Sequence, residues 1–251
     1  MKKFWGFLLV IVLMTSCGEY QSLLKSNDYN LVYKKAIEYY NKGDYQRAMN
    51  LLDGVRSVFV GQAKAQNIAY YRAFCSYNMK DYQIASDLFK QFIQTYPESS
   101  FAEECLYMMG FCDYKASPKP RLDQQVTEKA IREFQLYLSR YPYSMRKDKV
   151  NTYMDEMRDK LSYKAYLSAK NYYLREHYKA AVISLQNCLK DYPGSKYREE
   201  IMYMLFVSKY QMAVNSVEDK KVERYNNARE EYYYFADEYP NSRYAADVTK
   251  M

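Results

Sequence analysis

Glycine and proline are scarce in this chain, at 7 and 6 of 251 residues. So small a supply of turn formers excludes β-sandwiches, collagen-like repeats and flexible linkers, which draw on them at every bend. Histidine occurs once, as His177, which leaves metal ligation without its usual imidazoles and proton transfer without its usual base. The sequence shows no Ser/His/Asp set and no glycine-rich phosphate loop. No catalysis, metal or other cofactor is therefore expected. Concentrated positive charge is lacking too. The 37 Lys and Arg against 30 Asp and Glu give a net charge of +7, and the densest basic stretch, Arg146, Lys147 and Lys149, is broken by Asp148. Nucleic acid is excluded as a partner on that pattern.

Apolar runs are short. Lys2 and Lys3 precede an unbroken apolar stretch from Phe4 to Met14, well under the about 20 residues that a helix needs to cross a bilayer. Thr15, Ser16 and Cys17 follow. This is the layout of an export signal over residues 1–16. The small residues before Cys17 resemble the lipobox of bacterial lipoproteins, with Met14 standing where that pattern favours leucine. The resemblance implies cleavage before Cys17, acylation of its thiol and of the new amine with palmitate-type chains, and a lipidated tether over 17–28. Several chains hold a protein at a membrane where one does not. By the same resemblance, Gly18 in place of Asp after the cysteine favours the outer membrane. The other four cysteines, Cys75, Cys105, Cys112 and Cys188, read as small buried hydrophobes. Cys105 and Cys112 would lie about 10 Å apart along one helix, beyond the reach of a disulfide.

What the sequence has in abundance is tyrosine, 32 in all, and it recurs in register. Four segments end alike: Tyr96-Pro97-Glu98-Ser99, Tyr141-Pro142-Tyr143-Ser144, Tyr192-Pro193-Gly194-Ser195 and Tyr239-Pro240-Asn241-Ser242. Twelve residues before each proline stands an alanine (Ala85, Ala130, Ala181, Ala228), and four after that a bulky residue (Phe89, Phe134, Leu185, Tyr232). Alanine, a large residue one turn later and a helix-ending proline make the second half of a tetratricopeptide unit. The first half repeats as tyrosine pairs seven apart: Tyr33/Tyr40, Tyr70/Tyr77, Tyr107/Tyr114, Tyr166/Tyr173 and Tyr203/Tyr210. Seven residues bring two side chains back to within about 20° on one helix face.

The pattern predicts an all-α solenoid of five tetratricopeptide helix pairs in two submodules. Repeats one to three occupy 29–142, a connecting helix 143–165, and repeats four and five 166–251. Short turns at Lys42-Gly43-Asp44-Tyr45, Met79-Lys80-Asp81-Tyr82 and Arg175-Glu176-His177-Tyr178 join the helices of three pairs, which makes His177 a turn residue. In repeats three and five the turn is longer, and the extra residues read as inserted interaction loops.

In such a stack the first helix of each repeat lines the concave side. The tetratricopeptide positions that aim into that groove fall on Tyr33, Tyr40 and Asn41 in repeat one and on Tyr70, Tyr77 and Asn78 in repeat two. These six are the candidate peptide-binding residues. The same rings could instead pack between repeats, since tyrosine is amphipathic and often half-buried.

Taken together, the lipoprotein signal, the Tyr-Pro-x-Ser units and the stretch Arg121-Leu122-Asp123-Gln124-Gln125 before Ala130 resemble the BamD family of outer-membrane protein assembly factors, and the tyrosine content resembles its members from the Bacteroidota. The segment from Tyr172-Tyr173 through Ala181 to Leu189-Lys190-Asp191-Tyr192-Pro193 is similar to that family's fourth repeat. The resemblance implies a non-catalytic, periplasm-facing lipoprotein of the β-barrel assembly machine. Its C-terminal repeats would dock on the POTRA domains of a BamA-type insertase, and its N-terminal groove would receive unfolded outer-membrane β-barrel proteins. Ser57-Val58-Phe59-Val60-Gly61 departs from the Tyr-Pro stretch usual in the family's first repeat. Two other readings remain open: a periplasmic tetratricopeptide adaptor for peptidoglycan synthesis and envelope constriction, and a glycan-capture lipoprotein.

Overall fold

The computed structural model describes residues 18–249, so Cys17 and the signal segment lie outside the described residues. Within that span the chain is helical throughout: α1 (Tyr29–Asn41), α2 (Tyr45–Val55), α3 (Ala63–Asn78), α4 (Tyr82–Thr95), α5 (Ala102–Ala116), α6 (Gln125–Arg140), α7 (Lys147–Leu174), α8 (Tyr178–Asp191), α9 (Arg198–Val214), α10 (Glu218–Glu238) and the short α11 (Ala245–Val248). Residues 18–24 form a further helical segment ahead of α1. Helices α1 to α10 pair in sequence as five antiparallel hairpins, the tetratricopeptide arrangement.

Each Tyr-Pro pair ends a helix. Proline pushes the residue before it out of the right-handed helical region, and Tyr96, Tyr192 and Tyr239 sit at φ near −130° and ψ near 64° (−130/61, −132/64 and −131/65) as the last turn closes. The hairpin turns use a different device. Gly43, Lys80 and Glu176 adopt positive φ of 81°, 67° and 57°, and each is followed by the N-cap residue of the next helix: Asp44, Asp81 or His177. Asp44 accepts from the Arg47 amide at 3.2 Å, satisfying a donor that the helix leaves free. His177 occupies the same N-cap position on an exposed turn, without a side-chain capping bond.

The alanines and large residues of the second helices form the core. Ala85, Phe89, Ala130, Phe134, Ala181 and Leu185 are fully buried, and in the last hairpin Ala228 and Phe235 are. Each buried Phe or Leu contributes about 1.5–3 kcal/mol of apolar transfer energy. The four cysteines after Cys17 are free and buried among them.

The chain divides into two units. One comprises the chain up to Pro118 together with Gln125–Asn151, and the other Lys119–Gln124 together with the chain from Thr152 onward. The first unit holds three hairpins, the second two. The connecting stretch from Lys147 onward and the first helix of repeat four, set apart in the sequence reading, belong to one 28-residue helix, α7. The long turn of repeat five also differs from the expected loop. Its extra residues lengthen α9 and α10, leaving only 215–217 outside helix, because the segment is rich in the helix formers Glu, Lys and Arg. In repeat three a non-helical loop does follow α5, at 117–124.

Candidate functional site

In four of the five pairs the first tyrosine is held by residues just ahead of the helix that follows the next Tyr-Pro-x-Ser motif. Four residues ahead of that tyrosine stands a polar group that bonds the serine of the Tyr-Pro-x-Ser motif. Ser99 Oγ donates to Gln66 Oε1 at 2.9 Å, Ser144 Oγ to Glu103 Oε1 at 2.7 Å and Ser242 Oγ to Glu199 Oε1 at 2.6 Å, while Ser195 Oγ accepts from Ser162 Oγ at 2.8 Å. The same serine oxygen accepts a backbone N–H from the residue two further on: Phe101, Arg146, Tyr197 or Tyr244. Each of those side chains then covers the first tyrosine. Phe101 lies 4.5 Å from the Tyr70 ring, the Arg146 guanidinium 4.9 Å from Tyr107, Tyr197 4.3 Å from Tyr166 and Tyr244 4.1 Å from Tyr203. Serine, the ring or guanidinium two residues on and tyrosine thus form one recurring joint.

This joint decides where the six candidate residues go. Tyr70 is packed against Phe74 and Phe101, its hydroxyl donating to Glu104 at 2.8 Å. Burial raises its pKa well above the ordinary phenol value. Tyr33 lacks a Tyr-Pro-x-Ser partner and contacts Phe59 at 6.1 Å and the Lys64 ammonium at 5.6 Å instead. The second tyrosines lie beside the hairpin turns. Tyr40 meets the turn residue Tyr45 at 5.5 Å and Tyr71 of the next repeat at 4.9 Å. Burial pushes its pKa up to about 12, with the nearby Asn78 side chain pulling weakly the other way. Tyr77 meets Tyr82 at 5.9 Å and Phe111 at 6.2 Å. Asn41 is exposed; the other five are half-buried.

The structure therefore brings Tyr40 and Asn78 together across two repeats, and continues the ring series through Tyr77 to Phe111 and Tyr114, which stack at 5.9 Å and 22°. Phe74 and Phe111 are members that the sequence reading passed over. A signal for them existed, since both stand four residues after the first tyrosine of their pair, as does Ile37. In repeat four that position is Lys170, whose ammonium bonds the Tyr166 hydroxyl at 2.8 Å and Glu200 at 2.7 Å, and in repeat five it is the buried Val207. A ring at that position is thus found only in repeats two and three, while the second unit gathers its own rings around Phe206, with Tyr210 at 6.2 Å and Tyr232 at 6.0 Å. Half-buried ring faces and adjacent amides suit an extended peptide with aromatic side chains, bound by stacking and backbone hydrogen bonds.

Reactive chemistry finds little support nearby. Burial pushes the thiols of Cys75 and Cys105 up to about 12 and that of Cys188 to about 11, so they stay protonated and inert. Among the described residues no group of three or more His, Cys, Asp or Glu converges to hold a metal ion. Nor is any described helix long and apolar enough to cross a membrane.

The sequence model of the YfiO family, described as outer membrane lipoprotein, matches residues 25–199 and 165–251. No curated protein gave a match. Solved structures with a similar chain course include a tetratricopeptide-repeat protein of Bacteroides fragilis NCTC 9343 (12% identity, 90% of this chain and 96% of that one, TM-score 0.43). The TPR2AB domain of yeast Sti1, solved as a complex with pHSP90, aligns at 13% identity over 88% of this chain and 87% of that one, TM-score 0.42. MamA of AMB-1 aligns at 13% over 80% and 90%, TM-score 0.34.

Proposed function

Because this chain belongs to the YfiO family of outer membrane lipoproteins, we propose that it is a BamD-type, non-catalytic subunit of the outer-membrane β-barrel assembly machine. It captures unfolded β-barrel proteins on its first unit and scaffolds a BamA-type insertase through that insertase's POTRA domains. Cleavage after residue 16 and acylation of Cys17 anchor it to the outer membrane, facing the periplasm. The observation that carries the capture role is the ring series Tyr40, Tyr77, Phe111 and Tyr114 with Asn41 and Asn78 beside it. Such a face grips aromatic side chains weakly and with little sequence demand, which suits a chain that must be handed on. Tyr70 frames it as part of the inter-repeat joint, and Tyr33 through its contacts with Phe59 and Lys64. The anchor raises the local concentration of this face at the insertase.

Two measurements test the reading. Purification of the lipidated protein from envelopes should bring down an insertase of the BamA type; recovery of cell-division or glycan-uptake partners in its place would overturn the assignment. Peptides ending in an aromatic residue should bind the full chain, and more weakly when Tyr40→Leu and Tyr77→Leu are combined. Leucine is chosen because both rings pack between repeats, where alanine would leave a cavity. Unchanged affinity with helicity retained would remove the groove from the mechanism.

A further inference from the structure

The segment just after the proposed anchor is packed onto the first hairpin. Tyr20 and Leu23 are buried in the core of the first hairpin, with relative exposures of 9% and 5%. The Tyr20 ring meets Tyr39 edge-on at 6.0 Å, lies under the Arg47 guanidinium at 5.2 Å, and its hydroxyl accepts from Asn50 Nδ2 at 3.0 Å. Glu19 is paired with Lys35 at 2.9 Å and feels Lys42 as well, both holding its carboxyl below the ordinary range. Tyr39 and Arg47 flank the turn at 42–44, so residues 18–20 lie level with the tip of the hairpin.

Residue 17 stands three places before Tyr20, and three residues of chain reach at most about 10 Å. A diacylglycerol held at that residue therefore brings the bilayer surface to the tip of the first hairpin. The second tip lies beside the first, since Tyr40 near the end of α1 rests on Tyr71 of α3 at 4.9 Å and has Asn78, the last residue of α3, close by. Each tip presents an exposed lysine, Lys42 and Lys80, and neither is in an ion pair among the described residues. Asp44 at the first tip is engaged by Arg47 at 3.3 Å, whereas Asp81 at the second stands exposed at the N-cap position of α4 without a side-chain capping bond.

We propose that the turn ends of the first two hairpins form a membrane-facing surface, held against phospholipid headgroups by the docked segment 18–24, with Lys42 and Lys80 against the headgroup phosphates. This rests on the lipid anchor proposed above and deepens it: the anchor fixes orientation as well as location. The opposite end of the first hairpin, at Val58 and Val60, stands about 20 Å away, the length of 13 helical residues.

The test uses the full lipidated chain in vesicles of phosphatidylethanolamine and phosphatidylglycerol carrying a headgroup nitroxide quencher. A fluorophore is placed at the tip through Gln83→Cys or at the far end through Val60→Cys; Cys75, Cys105, Cys112 and Cys188 are buried and escape labelling. Quenching at the tip should exceed that at the far end several-fold. Combining Tyr20→Ser with Leu23→Ser should erase the difference, and Lys42→Glu with Lys80→Glu should reduce it. Equal quenching at the two sites, or a difference that survives undocking of the segment, overturns the inference. Failure of the unlabelled protein to stay on vesicles overturns the anchor itself and is read separately by flotation.

Discussion

Phe134 Cδ1 lies 2.9 Å from the place where a β-carbon on Gly110 would sit. Helix α5 comes this close to α6 because the fully buried Phe134 ring fills the space beside its backbone. Gly110→Ala should therefore destabilise the protein by about 1–3 kcal/mol through overpacking, even though alanine in an exposed helix interior would gain about 0.5–1 kcal/mol over glycine. Urea titration followed by circular dichroism gives the sign, and a stabilised variant would mean that Phe134 moves freely.

The serine joints should differ in strength according to partner. Ser144 donates to the Glu103 carboxylate at 2.7 Å and also meets the Tyr137 hydroxyl at 2.5 Å, whereas Ser99 meets the neutral amide of Gln66 at 2.9 Å. Hydrogen bonds to charged groups contribute about 1.5–3 kcal/mol against about 0.5–1.5 kcal/mol for neutral ones. Ser144→Ala should accordingly lower the urea midpoint more than Ser99→Ala. Equal losses would show that the capping bond to the backbone, common to both, dominates.

The left-handed turn residues offer a stabilising change. Lys80 and Glu176 hold φ of 67° and 57° where the first hairpin has Gly43. A side chain in that conformation costs about 1–2 kcal/mol, partly offset by the freedom glycine gains on unfolding. Glu176→Gly should raise stability by about 0.5–1 kcal/mol, and Gly43→Ala should lower it. Thermal melts of the two variants against the parent would establish both signs.

Glu133 should make stability fall as pH rises above the acidic range. Its carboxyl is buried between Asp113 and Lys129, with Oε2 lacking a hydrogen-bond partner. Burial first, and then Asp113, push its pKa up to about 8. The unfolded chain releases this proton near the ordinary carboxylate value, while the folded protein keeps it until about pH 8. Across that window the folded state binds more protons than the unfolded one, so stability drops with pH. Glu133→Gln, which keeps a donor toward Asp113, should flatten the drop between pH 5 and 8 as seen in melting temperature; a parallel pH profile in the variant would place the sensitivity elsewhere.

The proposed peptide face was half legible. The spacing of Tyr33, Tyr40, Tyr70 and Tyr77 identified one helix stripe, but it could not say that the members of each pair have different neighbours. That split comes from Phe101, Arg146, Tyr197 and Tyr244, residues that follow the Tyr-Pro-x-Ser motif and reach back across one repeat. The turn of repeat five departs from its expected loop for a related reason. Counting residues between Tyr210 and Ala228 reveals extra length, yet whether the extra residues loop out or extend two helices depends on local helix propensity and on packing of α10 along α9.

Periodicity and breakers in the sequence were enough to establish the helix pairs, their number, the prolines that end them and the alanines that let them approach. Those features are local or recur at fixed spacing, so they need no knowledge of distant contacts. The docking of Tyr20 beside Arg47, the near-contact of Gly110 with Phe134 and the burial of Glu133 against Asp113 follow from the packed fold alone. Each joins side chains from separate helices, and the distance between such groups is set by how whole helices settle together, a quantity that no run of neighbouring residues encodes.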